Sequence, residues 1–168
     1  MSENIERHTI AVLVDNEPGI LARVVGLFSG RGYNIESLTV AEVDAVSRTS
    51  RITIVTSGTP AVIEQIESQL RRLVPTHKVT NWTSAKAGIE REMALVKVAG
   101  TGEKRVEALR MADAFRARPV DTTHASFVFE ITGAPSKIDS FVELMRPLGL
   151  VEISRTGVAA ISRGPDAM

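Results

Sequence analysis

Asp15-Asn16-Glu17-Pro18-Gly19-Ile20-Leu21 separates two kinds of apolar pattern. Before it runs Ile10-Ala11-Val12-Leu13-Val14, an apolar stretch that reads as a strand. After it, Leu21, Val24, Val25 and Phe28 recur at helical spacing and define one face. The stretch is therefore a strand-to-helix turn, and its residue types suit that role. Pro18 has a fixed φ and no N–H to lose, so it is expected in the first helical turn. Asp15 and Asn16 are both good capping residues. Gly19 carries no side chain, so a ligand can approach its backbone. The unpaired N–H groups of a helix start attract an anion such as an amino-acid carboxylate. Most turns of this composition are caps and nothing more, so the rest of the chain has to decide.

Working outward, Met1–Arg7 reads as a loose tail and Thr9–Val14 as the first strand. Pro18–Gly30 is the first helix, ended by Gly30 and Gly32. Tyr33–Val43 and Ser50–Thr56 are strands joined by a polar hairpin, with Ile52 and Ile54 on one face. Thr59 and Pro60 open a second helix as N-cap and first residue, and Val62, Ile63, Ile66, Leu70 and Leu73 form its buried face. Lys78–Thr83 is a fourth strand and contains Trp82. The order is βαββαβ, which folds as an antiparallel sheet with both helices on one face. The other face needs a cover, expected from another subunit or from the second half of the chain.

A second βαββαβ pattern follows a small, polar linker. Its expected elements are a strand Met93–Ala99, a helix Glu103–Arg116 with Val106, Leu109, Ala112 and Phe115 facing a core, and strands Arg118–Thr123 and Ser126–Ile131. A helix Pro135–Arg146 carries Ile138, Phe141, Val142 and Met145, and a last strand, Leu150–Ile161, is interrupted near Thr156-Gly157. The expected fold class is α+β: two ferredoxin-like domains, residues 1–83 and 91–164, joined by a linker at 84–90.

Composition narrows the function. Lysine plus arginine and aspartate plus glutamate both number 20, so no basic excess points to nucleic acid. There is no cysteine, which excludes disulfides, thiolate nucleophiles and Cys-bound metals. No apolar run approaches the roughly 20 residues of a membrane helix, and the polar, partly acidic N-terminus is no targeting peptide. A cytoplasmic protein is expected. His8, His77 and His124 lie apart, without metal-ligand spacing. Gly100-Thr101-Gly102-Glu103-Lys104 lacks the spacing of a phosphate loop and reads as a strand-to-helix turn. No set of nucleophile, base and orienting group is visible.

The run from Asp15 to Val24 resembles the ligand turn of ACT domains, small ferredoxin-like modules that bind amino acids. Its continuation is more specific. Gly26-Leu27-Phe28-Ser29 and Arg31-Gly32-Tyr33-Asn34-Ile35-Glu36-Ser37-Leu38 resemble the regulatory small subunit of acetohydroxyacid synthase, also called acetolactate synthase. Further matches are Glu64-Gln65-Ile66, Gln69-Leu70, Glu90-Arg91-Glu92-Met93, Leu95-Val96-Lys97-Val98, Ser154-Arg155-Thr156-Gly157 and Ser162-Arg163-Gly164. The likeness spans about Thr9 to Gly164 and makes residues 1–83 the ACT domain.

The resemblance implies a non-catalytic subunit with no cofactor of its own. It implies a separate catalytic subunit carrying thiamine diphosphate, magnesium and FAD, activation of that partner, and feedback by valine. It also implies a homodimer through the ACT domains, with the amino acid at their junction. Asn16, Pro18, Gly19, Ile20 and Leu21 of one subunit and Asn34 and Ile35 of the facing one are the expected site. Asn16 and Asn34 supply amides, and Ile20, Leu21 and Ile35 supply an aliphatic pocket that suits valine, with leucine or isoleucine as weaker alternatives. Other readings are a stand-alone amino-acid sensor and an RNA-binding ferredoxin-like sheet. The second needs stacking aromatics, and the first-half strands offer only Tyr33 and Trp82.

Overall fold

The alternation in Ile10, Val12 and Val14 does what a period of two requires: all three are buried under the helices, on a strand β1 that spans Glu6–Asp15. The computed structural model describes residues 4–86 and 88–168. Of the expected N-terminal tail, residues 1–3 lie outside the described residues, and Glu6 and Arg7 already belong to β1. The chain divides into two compact units, residues 1–89 with 158–168, and residues 90–157.

In unit 1, β1 is followed by α1 (Ile20–Ser29), β2 (Ser37–Asp44), β3 (Thr49–Gly58), α2 (Pro60–Arg72) and β4 (Thr76–Asn81). The strands form an antiparallel sheet in the order β2-β3-β1-β4. Ile20, Val24 and Phe28 of α1 and Ile63, Ile66 and Leu70 of α2 close the core against Ile10, Val12, Ile52, Ile54 and Val79. The βαββαβ order and both helices on one face stand as expected. Thr59 caps α2, its hydroxyl accepting the Val62 N–H at 3.4 Å, and Pro60 follows at the first helical position. Thr59→Ala is expected to lower stability by about 1 kcal/mol in denaturant unfolding, the usual worth of such a cap.

Three local expectations are corrected. Pro18 does not begin α1: Gly19 is the N-cap, at φ 85°, and the helix starts at Ile20. Its buried stripe is accordingly Ile20, Val24 and Phe28, leaving Leu21 39% exposed. Tyr33, Asn34 and Ile35 form a loop ahead of β2, where the Thr56 hydroxyl donates to the Asn34 carbonyl at 2.6 Å and occupies it in place of a ladder partner. Trp82 opens a short helix α3 (Trp82–Ala85) capped by Asn81, whose side chain accepts the Thr83 and Ser84 N–H groups at 3.1 and 3.2 Å.

Unit 2 contains most of β5 (Gly88–Ala99), then α4 (Gly102–Ala114), β6 (Arg118–Thr122), β7 (Ser126–Gly133), α5 (Pro135–Met145), a 3₁₀ turn at Arg146–Leu148 and β8 (Leu150–Arg155). Its strand order is β6-β7-β5-β8. Phe127, Phe129 and Ile131 share the buried face with Ile138, Phe141, Val142 and Met145, as expected. The face of α4 differs in part: Ala112 is buried and Phe115 packs against the core as expected, but Ala108 is buried where Val106 and Leu109 are 49% and 39% exposed. Both sets have helical spacing. The small pair seats α4 on the core, with Arg105 laid over the Phe127 ring at 3.9 Å. Gly100-Lys104 is the turn into α4, with the Gly100 N–H donated to Ala125.

The expected linker at 84–90 contains the end of α3 and the start of β5; Ala87 within it lies outside the described residues. The last eleven residues, 158–168, group with unit 1. They include β9 (Ala159–Ser162). Ala160 and Met168 pack with Ala11 and Trp82 on the face of the first sheet that carries no long helix. The cover expected from a partner or from the second half is thus supplied in part by this chain's own last residues and by α3.

Candidate functional site

The turn from Asp15 to Gly19 is tied to its neighbours through both its backbone and its side chains. The Asn16 N–H donates to Arg48 O at 2.7 Å, and the Asp15 N–H to Pro75 O at 3.2 Å. Arg23, one turn into α1, donates to Glu17 at 3.2 Å and to Val74 O at 3.0 Å. Asp15 is paired with His77 instead of capping the helix. No side chain caps α1. Among the described residues, no backbone carbonyl accepts from the N–H groups of Leu21 or Ala22. A Cβ built on Gly19 meets nothing within 4 Å. The start of α1 is therefore an open, uncapped helix end able to donate to an anion.

The expected site residues fall into two groups. Asn16 is half-buried, Pro18 and Gly19 are exposed, Ile20 is buried in the core and Leu21 stands outward. Asn34 and half-buried Ile35 lie beyond the other end of α1. A helix rises 1.5 Å per residue, so the length of α1 sets the groups roughly 15 Å apart. One chain does not bring them together.

The Asn34-Ile35 loop is firmly built. Tyr33 stands edge-on to Phe28 at 6.3 Å between centroids and donates its hydroxyl to Gln65 at 2.9 Å. The Glu36 N–H donates to Val55 O at 2.8 Å. Glu42 carries no local signal that would single it out. It accepts the Asn16 amide at 3.2 Å and places a carboxylate beside the turn, where an ammonium group finds an acceptor. It was one acid among several in an alternating strand, and only the sheet register puts it there.

The β2–β3 hairpin props the turn through Arg48 and is itself tied by Asp44. The Ser47 hydroxyl, followed by the Val46 and Ser47 N–H groups, holds the Asp44 carboxyl below its ordinary range. A depressed carboxyl stabilises the fold above its unfolded-state pKa and loses that contribution as pH falls through the folded value. Ser47→Ala is expected to move the Asp44 titration upward, toward the ordinary range, in a carboxyl-resolved NMR titration. Among the described residues no group of His, Asp or Glu is placed to hold a metal ion, and no helix is long and apolar enough to cross a membrane.

A βαββαβ unit with an open glycine turn at its first helix is the arrangement expected of an ACT domain. Residues 10–78 match the family model described as AHAS small subunit-like ACT domain, and residues 91–164 match the small subunit of acetolactate synthase. The chain is 48% identical over 158 residues to a probable acetolactate synthase small subunit of Archaeoglobus fulgidus, covering 94% of this chain and 98% of that one. It is 43% identical to the acetolactate synthase isozyme 3 small subunit of Escherichia coli, covering 96% and 99%. The crystal structure of the acetolactate synthase small subunit from Thermotoga maritima superposes with a TM-score of 0.83 at 38% identity, covering 96% of this chain and 99% of that one. The chain belongs to the acetolactate synthase small-subunit family. Its place is that of the regulatory subunit, not the catalytic one.

Proposed function

We propose that this subunit docks on a separate acetolactate synthase catalytic subunit, raises its activity and makes it sensitive to valine. The partner carries thiamine diphosphate, magnesium and FAD and joins pyruvate to pyruvate or 2-oxobutyrate in the cytoplasm. Two ACT units pair, and valine bridges the Asn16–Leu21 turn of one chain and the Asn34-Ile35 loop of the other. The observation that carries this reading is the separation of the two groups at opposite ends of α1. Each is well built, yet neither is complete within its own chain. The outer edge of the first sheet supports pairing: β2 has only β3 as a strand neighbour among the described residues, and Val40 and Val43 on it are 42% and 55% exposed.

The chemistry fits an α-amino acid. The start of α1 takes the carboxylate. Asn16 and Glu42 take the ammonium group, and Leu21 and Ile35 take a small branched side chain, while Ile20 turns its own side chain into the core. One methylene is worth only about 1–3 kcal/mol in such a pocket, so leucine and isoleucine bind with graded affinity. Feedback requires valine to prefer one arrangement of the complex over the other, since equal binding to both regulates nothing. A ligand that spans two subunits senses their relative position and meets that condition.

Reconstitution tests the proposal. Adding this subunit to its purified catalytic subunit is expected to raise the rate of acetolactate formation, and valine to reverse the rise while serine does not. No change in rate on adding the subunit overturns the activator role and favours a stand-alone amino-acid sensor. Activation without a valine effect overturns the feedback role alone.

A further inference from the structure

We propose that residues 158–168 form a strap that clamps β2 and so positions both halves of the amino-acid site; the coupling to valine rests on the function proposed above. The strap crosses the sheet face opposite α1 and α2. The Val158 N–H donates to the Ser37 hydroxyl at 2.9 Å, and the Thr39 hydroxyl donates to Val158 O at 2.8 Å. On the next strand, Arg51 donates to Ala160 O at 3.3 Å and reaches the Met168 sulfur at 3.3 Å. Ala160, buried to 5% exposure, packs with Ala11 and Trp82. The grip on β2 is therefore polar and two-pointed, while the seat on β1 and α3 is apolar.

What makes this more than a cover is where β2 leads. It begins two residues after Ile35, and near its far end Glu42 holds the Asn16 amide. Asn34-Ile35 and the Asn16 turn are thus attached to the two ends of one edge strand. Within one chain, among the described residues, that strand has a sheet neighbour on one side only, so the two hydrogen bonds from the strap are a second hold on it, separate from any pairing of its outer edge. Ser37 and Thr39 are positioning residues in this scheme: they touch the strap and not the ligand.

The test compares the full chain with a chain ending at Gly157 and with Thr39→Val, which keeps the side-chain shape and removes the hydroxyl. Hydrogen exchange is read peptide by peptide without ligand, and valine affinity by calorimetry. Expected in Thr39→Val is faster exchange confined to residues 34–44; in the shortened chain it is faster there by at least about tenfold and also in β1 and α3, where Ala11 and Trp82 lose their cover, with α1 and β7 unchanged in both. Valine affinity falls by about 5- to 150-fold in the shortened chain, the ordinary range of coupling between sites. By the same linkage, valine slows exchange of residues 158–168 in the full chain. Unchanged exchange at 34–44 in the shortened chain overturns the clamp. Looser β2 with unchanged valine affinity overturns the positioning role. A uniform rise in exchange across unit 1 in both variants makes the strap a stability element only and also overturns it. If the full chain binds no valine, the function proposed above fails by itself, and the exchange comparison still judges the clamp.

Discussion

Gly19→Asp is expected to abolish the valine response while leaving activation of the catalytic subunit intact. Gly19 sits at φ 85° with no heavy atom within 4 Å of a built Cβ, so a side chain there has room and the fold survives. The left-handed conformation costs a non-glycine residue about 1–2 kcal/mol, with aspartate among the best tolerated. The functional cost is larger. The new carboxylate stands at the uncapped start of α1 and takes the N–H groups that the ligand's carboxylate needs, and it repels that carboxylate as well. Hydrogen bonds to a charged group are worth about 1.5–3 kcal/mol each, so losing two weakens valine by at least about 100-fold. Gly19→Ala carries the same backbone strain without the charge and is expected to keep most of the affinity. Normal valine sensitivity in the aspartate variant places the carboxylate elsewhere.

Arg155→Met is expected to destabilise unit 2 strongly. Arg155 makes a two-pronged pair with Glu92, at 2.6 and 2.8 Å, and donates to Asp139 at 2.7 Å. The Glu92 side chain is 4% exposed and the Arg155 side chain 36%. Glu92, with Asp139 second, raises the already high pKa of the guanidinium further, so the pair stays charged on that side at any working pH. Removing Arg155 strands a buried carboxylate. That costs about 3–5 kcal/mol for a fully buried pair and about 2–4 here, after allowance for the exposed arginine. For a domain of this size about 1 kcal/mol moves the melting temperature by about 4–8 °C, so the loss is plain in a thermal scan. Adding Glu92→Leu to the Arg155→Met chain is expected to restore much of the stability, because an apolar pair needs no partner charge. A single Arg155→Met chain that melts with the wild type removes the pair from the list of what holds unit 2.

These two cases mark what was legible in the sequence. Period and punctuation were enough for the element order of both halves, for the Thr59-Pro60 helix start and for the buried faces of β7 and α5. The Asp15–Leu21 turn is legible as a strand-to-helix turn from its residue types, and as a ligand turn only through the resemblance carried by the residues after it. What stayed hidden depends on contacts between distant segments. The Glu90–Met93 and Ser154–Gly157 runs each carry part of the family resemblance, but nothing in either says that Arg155 lands on Glu92. Glu42 reaches Asn16 only through the register of an edge strand. On α4, two apolar stripes compete at the same spacing, and the choice falls to the small residues because the helix must lie close to the sheet. Pro18 and Gly19 together favour a cap, but Gly19 in the left-handed region takes that position and moves the helix start by two residues. The return of residues 158–168 to the first sheet left no local signal, since Ala159–Ser162 reads as an ordinary short strand.

The separation of Asn16 and Asn34 along α1 gives the sharpest test of a site shared between two chains. Valine is titrated into Asn16→Ala, into Asn34→Ala, and into an equimolar mixture of the two after subunit exchange. Each variant alone is expected to bind no valine. In a mixed dimer one junction carries both substitutions and the other carries neither, so the mixture regains about a quarter of the wild-type capacity by the symmetry of the pair. A mixture as silent as its components, from variants shown to exchange subunits, contradicts the shared site.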